Sequence, residues 1–231
     1  MINFNDVINT LKQANYYLIF LATILNLTQS VFSSVRVSYL FKSVKTNLKL
    51  FDIWTGGWIS AFISSFLPFY SGGFVYAFLL SKKGNISYKK SFFVLMSDFF
   101  ISTFSFLTLI FLPLQKIKVK RFFIKSVLIS MVTYLISILV CYLYFSAFGF
   151  VPNLGKFVIA YLVFVFANLI PGAPLKIGQY ELAGVLIFTY FFNIDKNLLF
   201  TIFAGMHLTS LVIVSVMGIL SAYLTKYEFK K

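Results

Sequence analysis

The chain has one cysteine, one histidine and six acidic residues among 231. Cys141 lies inside an apolar run, so neither a disulfide framework nor a cysteine-based metal site is possible. One histidine and scattered acids cannot supply adjacent ligands, which excludes a metal constellation. No Ser/His/Asp or Cys/His arrangement is available for nucleophilic catalysis, and there is no phosphate-binding P-loop. No catalytic residue and no cofactor are therefore expected, and an enzymatic role has little support. Charged residues make up 11% of the chain, against ~25% in ordinary soluble domains. The polar N-terminal stretch 1–15 has neither a basic n-region nor a small-residue cleavage site, so no cleaved signal peptide is expected. The length is read as one integral membrane domain over 1–231, with no room for a soluble catalytic domain.

Apolar side chains are what the chain has in excess. They make up 60% of the residues, aromatics make up 20%, and the mean hydropathy is +0.90. A soluble domain of this size would have to expose much of that surface to water. The expected fold is all-α: a polytopic transmembrane helical bundle. The net charge of +14 comes from lysines at the ends of apolar segments, where they anchor to anionic headgroups and set topology. Nucleic acid is not an expected partner, because no basic face belongs to a soluble fold. Arginines are few.

Against a span of ~20 residues, apolar segments run over 16–41, 53–80, 91–114, 122–150, 157–170, 182–192 and 198–225, about six or seven in all. The connectors 42–49, 81–90 and 115–125 are short and basic. If every long segment crosses, 42–49 and 82–90 fall on opposite sides; a re-entrant second segment would change that.

The densest signal is Asn168-Leu-Ile-Pro-Gly-Ala-Pro-Leu-Lys-Ile-Gly-Gln-Tyr-Glu181. Pro171 and Pro174 remove backbone donors and clash with preceding turns, so with Gly178 they break any helix that tries to pass. Broken backbone at membrane depth needs shelter from protein or a wet cavity. A similar interruption, Leu67-Pro-Phe-Tyr-Ser-Gly-Gly73, splits the second segment at Pro68, with Ser71, Gly72 and Gly73 following. Paired interruptions in two halves suggest a pseudo-repeat with a transporter-like site where the repeats meet. Half-helix ends there would favour an anion, and Lys176 would add a full positive charge. The plainer reading is a pair of kinks, and hydropathy does not decide whether either broken segment is re-entrant.

Four polar residues stand out: Glu181 just after the second break, and Asp98, His207 and Arg36 in apolar segments. Glu181 either faces a cavity, meets a polar headgroup or pairs with Lys176, or it caps the next helix; both can hold together. Asp98 either pairs with a lysine or senses protons, or it is satisfied by Ser97, Ser102 and a water. His207 is a proton relay or a hydrogen-bonded packing residue. Arg36, near a segment end, snorkels to the interface or contacts a lipid phosphate.

The order of these features resembles the lysylphosphatidylglycerol synthase transmembrane-region family, also described as flippase-like integral membrane proteins. Its pattern near the C-terminus is roughly Pro-x-x-Pro-Gly-Gly-x-Gly-x-x-Glu. Pro171, Pro174, Gly178 and Glu181 fall in register, with Leu175 and Lys176 in place of the paired glycines. His207, Gly218, Arg36, Pro68 and Gly72 match further positions. The chain departs from the pattern at Gly73, where an acid is expected, at Tyr76, where a base is expected, and at Ser97-Asp98, where an acid–arginine pair is expected. The family's first helix also looks to be missing.

The resemblance implies movement or binding of a polar-headgroup lipid, either an aminoacylated phospholipid or a polyprenyl-phosphate-linked glycan. It places the chain in the cell membrane and in cell-envelope work. The site residues it points to are Glu181, Lys176, Pro171, Pro174, Gly178, Ser71, Gly72, Gly73, Asp98, His207 and Arg36. The alternative is a scaffold or accessory subunit for a membrane glycosyltransferase or lipid-modifying enzyme. Nothing resembles an ATP site, so transport would be passive or driven by an ion gradient.

Overall fold

A computed structural model describes residues 4–67, 71–111, 121–170 and 174–225. Pro68 and Pro171 lie outside the described residues. Among those described, nine α-helices and one 3-10 turn carry the fold, with no strand. They are α1 (Phe4–Lys12), α2 (Tyr16–Ser43), α3 (Leu50–Phe66), α4 (Ser71–Gly84), α5 (Tyr88–Phe111), α6 (Arg121–Ala147), α7 (Leu154–Ala167), α8 (Gln179–Phe192) and α9 (Lys196–Thr225). Helices α2, residues 122–147 of α6, and α9 are long and apolar enough to cross a membrane. Their exposed side chains are those that lipid accepts: on α6, Ile124, Leu128, Val132, Leu135 and Leu139 are all exposed at three- and four-residue steps, one helical face. Helix α1 lies within the polar 1–15 stretch and buries Val7.

Helix ends follow capping chemistry. Asn15 accepts from the N–H groups of Tyr17 (3.1 Å) and Leu18 (3.4 Å). Asn153 accepts from Lys156 N–H, and Asp195 from those of Asn197 and Leu198. Each satisfies donors that the first turn leaves open. Asn193 ends α8 in the left-handed region at φ 51°, a conformation that asparagine tolerates.

The chain divides into two compact units. The first comprises Met1–Leu27 and Ile136–Ile213, the second Thr28–Leu135 and Val214–Lys231. The first unit is held by aromatic packing. Phe145, Phe157, Phe188 and Phe203 are fully buried, and the Phe145–Phe188 and Phe164–Phe203 ring pairs each stand 4.9 Å apart. Such pairs contribute about 0.5–1.5 kcal/mol each beyond area burial. The core of the second unit is mainly aliphatic, with Val37, Leu40, Ile53, Leu80 and Val94 around Phe41.

Each unit contains a helical hairpin. The apolar run 53–80 is two antiparallel helices, not one interrupted rod. The Tyr76 hydroxyl donates to the Ile53 carbonyl at 2.9 Å, and the Ser60 hydroxyl donates to that of Gly72 at 2.8 Å. Lys83 and Asp52 pair at 3.5 Å at the open end. In the first unit α7 and α8 do the same: Phe157 meets Phe188 near the open end, and Phe164 meets Tyr180 near the tip. The four hairpin helices have 17, 14, 14 and 14 residues. At ~1.5 Å per residue they reach roughly 21–26 Å, short of the ~30 Å hydrocarbon layer.

Candidate functional site

The second unit holds a half-open cavity of about 230 Å³. Helix α2 lines it with Ser30, Ser33, Ser34 and Val37, and α3 with Trp54, Gly57, Trp58 and Ala61. Both sets step by three, four and seven residues, so each is one helix face. Tyr76, Arg36 and Asp98 complete the wall. Arg36 Nε donates to Asp98 Oδ1 at 2.7 Å and Nη2 to Oδ2 at 3.0 Å, a bidentate fork. Nη1 reaches the Ser130 hydroxyl at 3.3 Å, and Ser130 donates onward to the Ser126 carbonyl. Only 8% of the arginine side chain and 15% of the aspartate are exposed. A charge pair this sheltered needs good geometry and satisfied neighbours to persist, and here both are present. Trp54 Nε1 donates to the Ser30 hydroxyl at 2.9 Å. Trp58 Nε1 is buried without a hydrogen-bond partner among the described residues.

These positions correct two expectations. Arg36 does not snorkel: it is 6% exposed and turned to a carboxylate. Asp98 finds Arg36, not a lysine, and Ser97 and Ser102 give their hydroxyls to the Phe93 and Phe99 carbonyls of their own helix. The pair is 62 residues apart in sequence, a separation that periodicity cannot read.

The first-unit cluster surrounds the second break. Leu175 (φ 61°), Lys176 (φ 49°) and Gly178 (φ 83°) all have positive φ, so the chain turns sharply there. Gly178 takes this at no steric cost, whereas the two L-residues are held in it at a cost. Pro174 opens the 3-10 turn. Lys176 Nζ donates to the Asn168 carbonyl at 2.7 Å, covering an acceptor left open where α7 ends. Glu181 Oε2 accepts from the Gly178 N–H at 2.8 Å, and Oε1 lies 2.7 Å from His207 Nδ1. Glu181 and His207 are 7% and 9% exposed, and the Tyr180 ring lies 4.8 Å from the imidazole. Glu181 thus caps α8, as one reading held, and both its oxygens engage Gly178 and His207. The pairing with Lys176 is replaced by one with His207.

At the first break, Ser71, Gly72 and Gly73 open α4. Gly72 donates its N–H to the Ser64 hydroxyl at 3.1 Å. A Cβ on Gly72 would fall on the Ser60 carbonyl and the Ser64 hydroxyl, so only glycine allows α3 and α4 this close. Gly73 is exposed, and among the described residues nothing stands within 4 Å of where its Cβ would be. Sequence reasoning missed Trp54, Trp58, Ser30, Ser33 and Ser34. Their signal was the shared helical stripe of small, polar and indole side chains, which in an apolar helix also reads as plain packing.

Long apolar helices, helical hairpins with broken tips and buried ionisable pairs define an all-α integral membrane protein. The chain belongs to the lysylphosphatidylglycerol synthase TM region family, whose model matches residues 1–118 and 113–218. No curated protein and no solved structure matches it. Membership ties the chain to a membrane-lipid function.

Proposed function

We propose that the protein is a flippase-like, multi-pass transporter of the cell membrane that carries a polar-headgroup lipid between leaflets. The observation that carries this is the Arg36–Asp98 pair, buried in the wall of a cavity within helices otherwise fit for lipid. Intramembrane charges are expensive and mark substrate pathways by default. The short broken hairpins add support, since in transporters discontinuous helices frame the substrate site. On this reading both hairpins are re-entrant, and the headgroup, an aminoacylated phosphate or a phosphate-linked glycan, crosses in polar shelter while its chains stay in lipid. The protein supplies no catalytic group and needs no cofactor; an ion gradient or the lipid gradient drives movement.

A second reading, a scaffold for a membrane glycosyltransferase or lipid-modifying enzyme, draws on Glu181. Both its oxygens are engaged within the protein, which leaves it little to offer a headgroup. Vesicles separate the two. Purified protein should move a fluorescent aminoacylated phosphatidylglycerol or a fluorescent polyprenyl-phosphate-linked glycan across the bilayer. Arg36→Met with Asp98→Leu, which keeps the packing apolar, should lower the rate at least tenfold. Undiminished transport in that variant, or none in the unaltered protein beside a stoichiometric partner, would remove the transport reading.

A further inference from the structure

We infer that the second-unit cavity is a binding site for one neutral, polyhydroxylated ring, a glycosyl group, and not for a bare anion. The inference rests on the transport reading only for its setting in a lipid carrier.

The electrostatics decide against an anion. The guanidinium has five N–H donors, and three of them are engaged by Asp98 and Ser130. Its charge is already balanced at 2.7 Å by the Asp98 carboxylate. A phosphate entering beside the pair would gain one attraction and meet one repulsion at nearly the same range, in a setting where screening is weak. A hydroxyl faces no such conflict. It donates to a carboxylate lone pair and accepts from a remaining guanidinium N–H, so the paired edge offers both halves of what a sugar presents.

The rest of the wall agrees. The chain has two tryptophans, and both line this cavity. They meet edge to face with centroids 6.5 Å apart. Indole combines a broad apolar face with one donor. Trp58 is 8% exposed, and its N–H is sealed inside the protein with no partner among the described residues, so the indole meets the cavity with its ring and not its donor. On the same α3 face Gly57 lies between the indoles and Ala61 one turn beyond Trp58, so small residues flank them. The volume of about 230 Å³ lies below the ~300–1,000 Å³ of drug-sized sites. It suits one ring-sized group.

Because the tryptophans are confined to the cavity, intrinsic fluorescence reports on it directly. The protein is purified in a detergent without sugar headgroups and placed in phosphatidylcholine nanodiscs. It is then titrated with glucosyl diacylglycerol in the disc, with methyl glucoside in the buffer, and with phosphatidylglycerol in the disc. A saturable change in tryptophan emission with either sugar probe, and none with phosphatidylglycerol, is expected. A response to the lipid probe alone identifies a glycolipid headgroup; a response to methyl glucoside identifies a free sugar. Trp58→Ala removes this apolar wall and should weaken binding roughly tenfold, read through Trp54. Ala61→Leu fills the cavity and should abolish the response while the variant remains helical and monodisperse.

No response to either sugar probe, or a response to phosphatidylglycerol equal to that of the glucosyl lipid, overturns the inference. Movement of the aminoacylated lipid across vesicles with sugar-blind tryptophans would sink this site and leave transport standing. Sugar binding without movement of any lipid would do the reverse.

Discussion

Arg36 and Asp98 have left most of their hydration behind, and each depends on the other to make that tolerable. Removing one partner strands a buried charge, which costs about 3–5 kcal/mol, whereas removing both can be nearly neutral. Arg36→Ala and Asp98→Ala should each lower the thermal midpoint sharply, and Arg36→Met with Asp98→Leu should recover most of the loss. Additive losses in that double variant would mean the pair is not coupled. Gly72→Ala tests a steric dependence instead. Its methyl would meet the Ser60 carbonyl, so about 1–3 kcal/mol of destabilisation is expected by calorimetry. Gly73→Ala, with nothing near its Cβ among the described residues, should be close to silent; equal losses at both positions would refute the close approach. At this scale the sequence marked Arg36 and Asp98 as unusual because charge is rare in such segments. It could not pair them, since pairing is a tertiary fact between α2 and α5. The tryptophans hid because an indole in an apolar helix carries no mark of function.

Proline and glycine punctuation located both breaks, and the helices end where it predicts. What punctuation lacks is direction, because a broken segment and a folded-back one have the same hydropathy. The contacts settle direction inside the second unit: α3 begins at Asp52's end and α4 finishes beside it, through Lys83 at 3.5 Å. A Cβ on Gly84 would lie against Thr46 and Leu48, which brings the two lysine-bearing connectors to one end of this unit. Lys45→Cys and Lys89→Cys, made singly, should therefore react with a membrane-impermeant maleimide from the same side of a sealed vesicle. The native thiol, Cys141, is buried and should stay silent. Labelling from opposite faces would make 53–80 one interrupted crossing segment and end the hairpin, and with it the re-entrant reading. On the other hairpin, Glu181→Ala would lose the Gly178 cap and the His207 contact together. That should cost roughly 1–3 kcal/mol, and Glu181→Gln should restore much of it by keeping an acceptor at the cap. Equal losses for Ala and Gln would mean that carboxylate charge, not capping, holds α8.

For the whole chain, composition was enough to set the class, because 60% apolar residues with 11% charged leave no soluble solution. The division into two units was not legible. Their boundaries fall within α2, α6 and α9, where hydropathy runs on without a mark. The charge of +14 is also a property of the whole. Lys42, Lys82 and Lys83 sit in the last turns of their helices, and Lys45, Lys49, Lys89 and Lys90 lie in or beside the connectors, where headgroups would meet them. Each basic residue near an anionic surface is worth ~1 kcal/mol, so these lysines together should bind a phosphatidylglycerol leaflet more firmly than a phosphatidylcholine one. The thermal midpoint should accordingly be higher in phosphatidylglycerol nanodiscs. That increment should shrink as salt rises from 0.1 to 1 M, since the screening length falls from ~10 to ~3 Å. The Arg36–Asp98 contribution, sheltered from solvent, should hardly respond to the same salt. Midpoints that do not depend on lipid charge would assign the lysines to topology alone; a pair energy that fell with salt would place Arg36 and Asp98 in water after all.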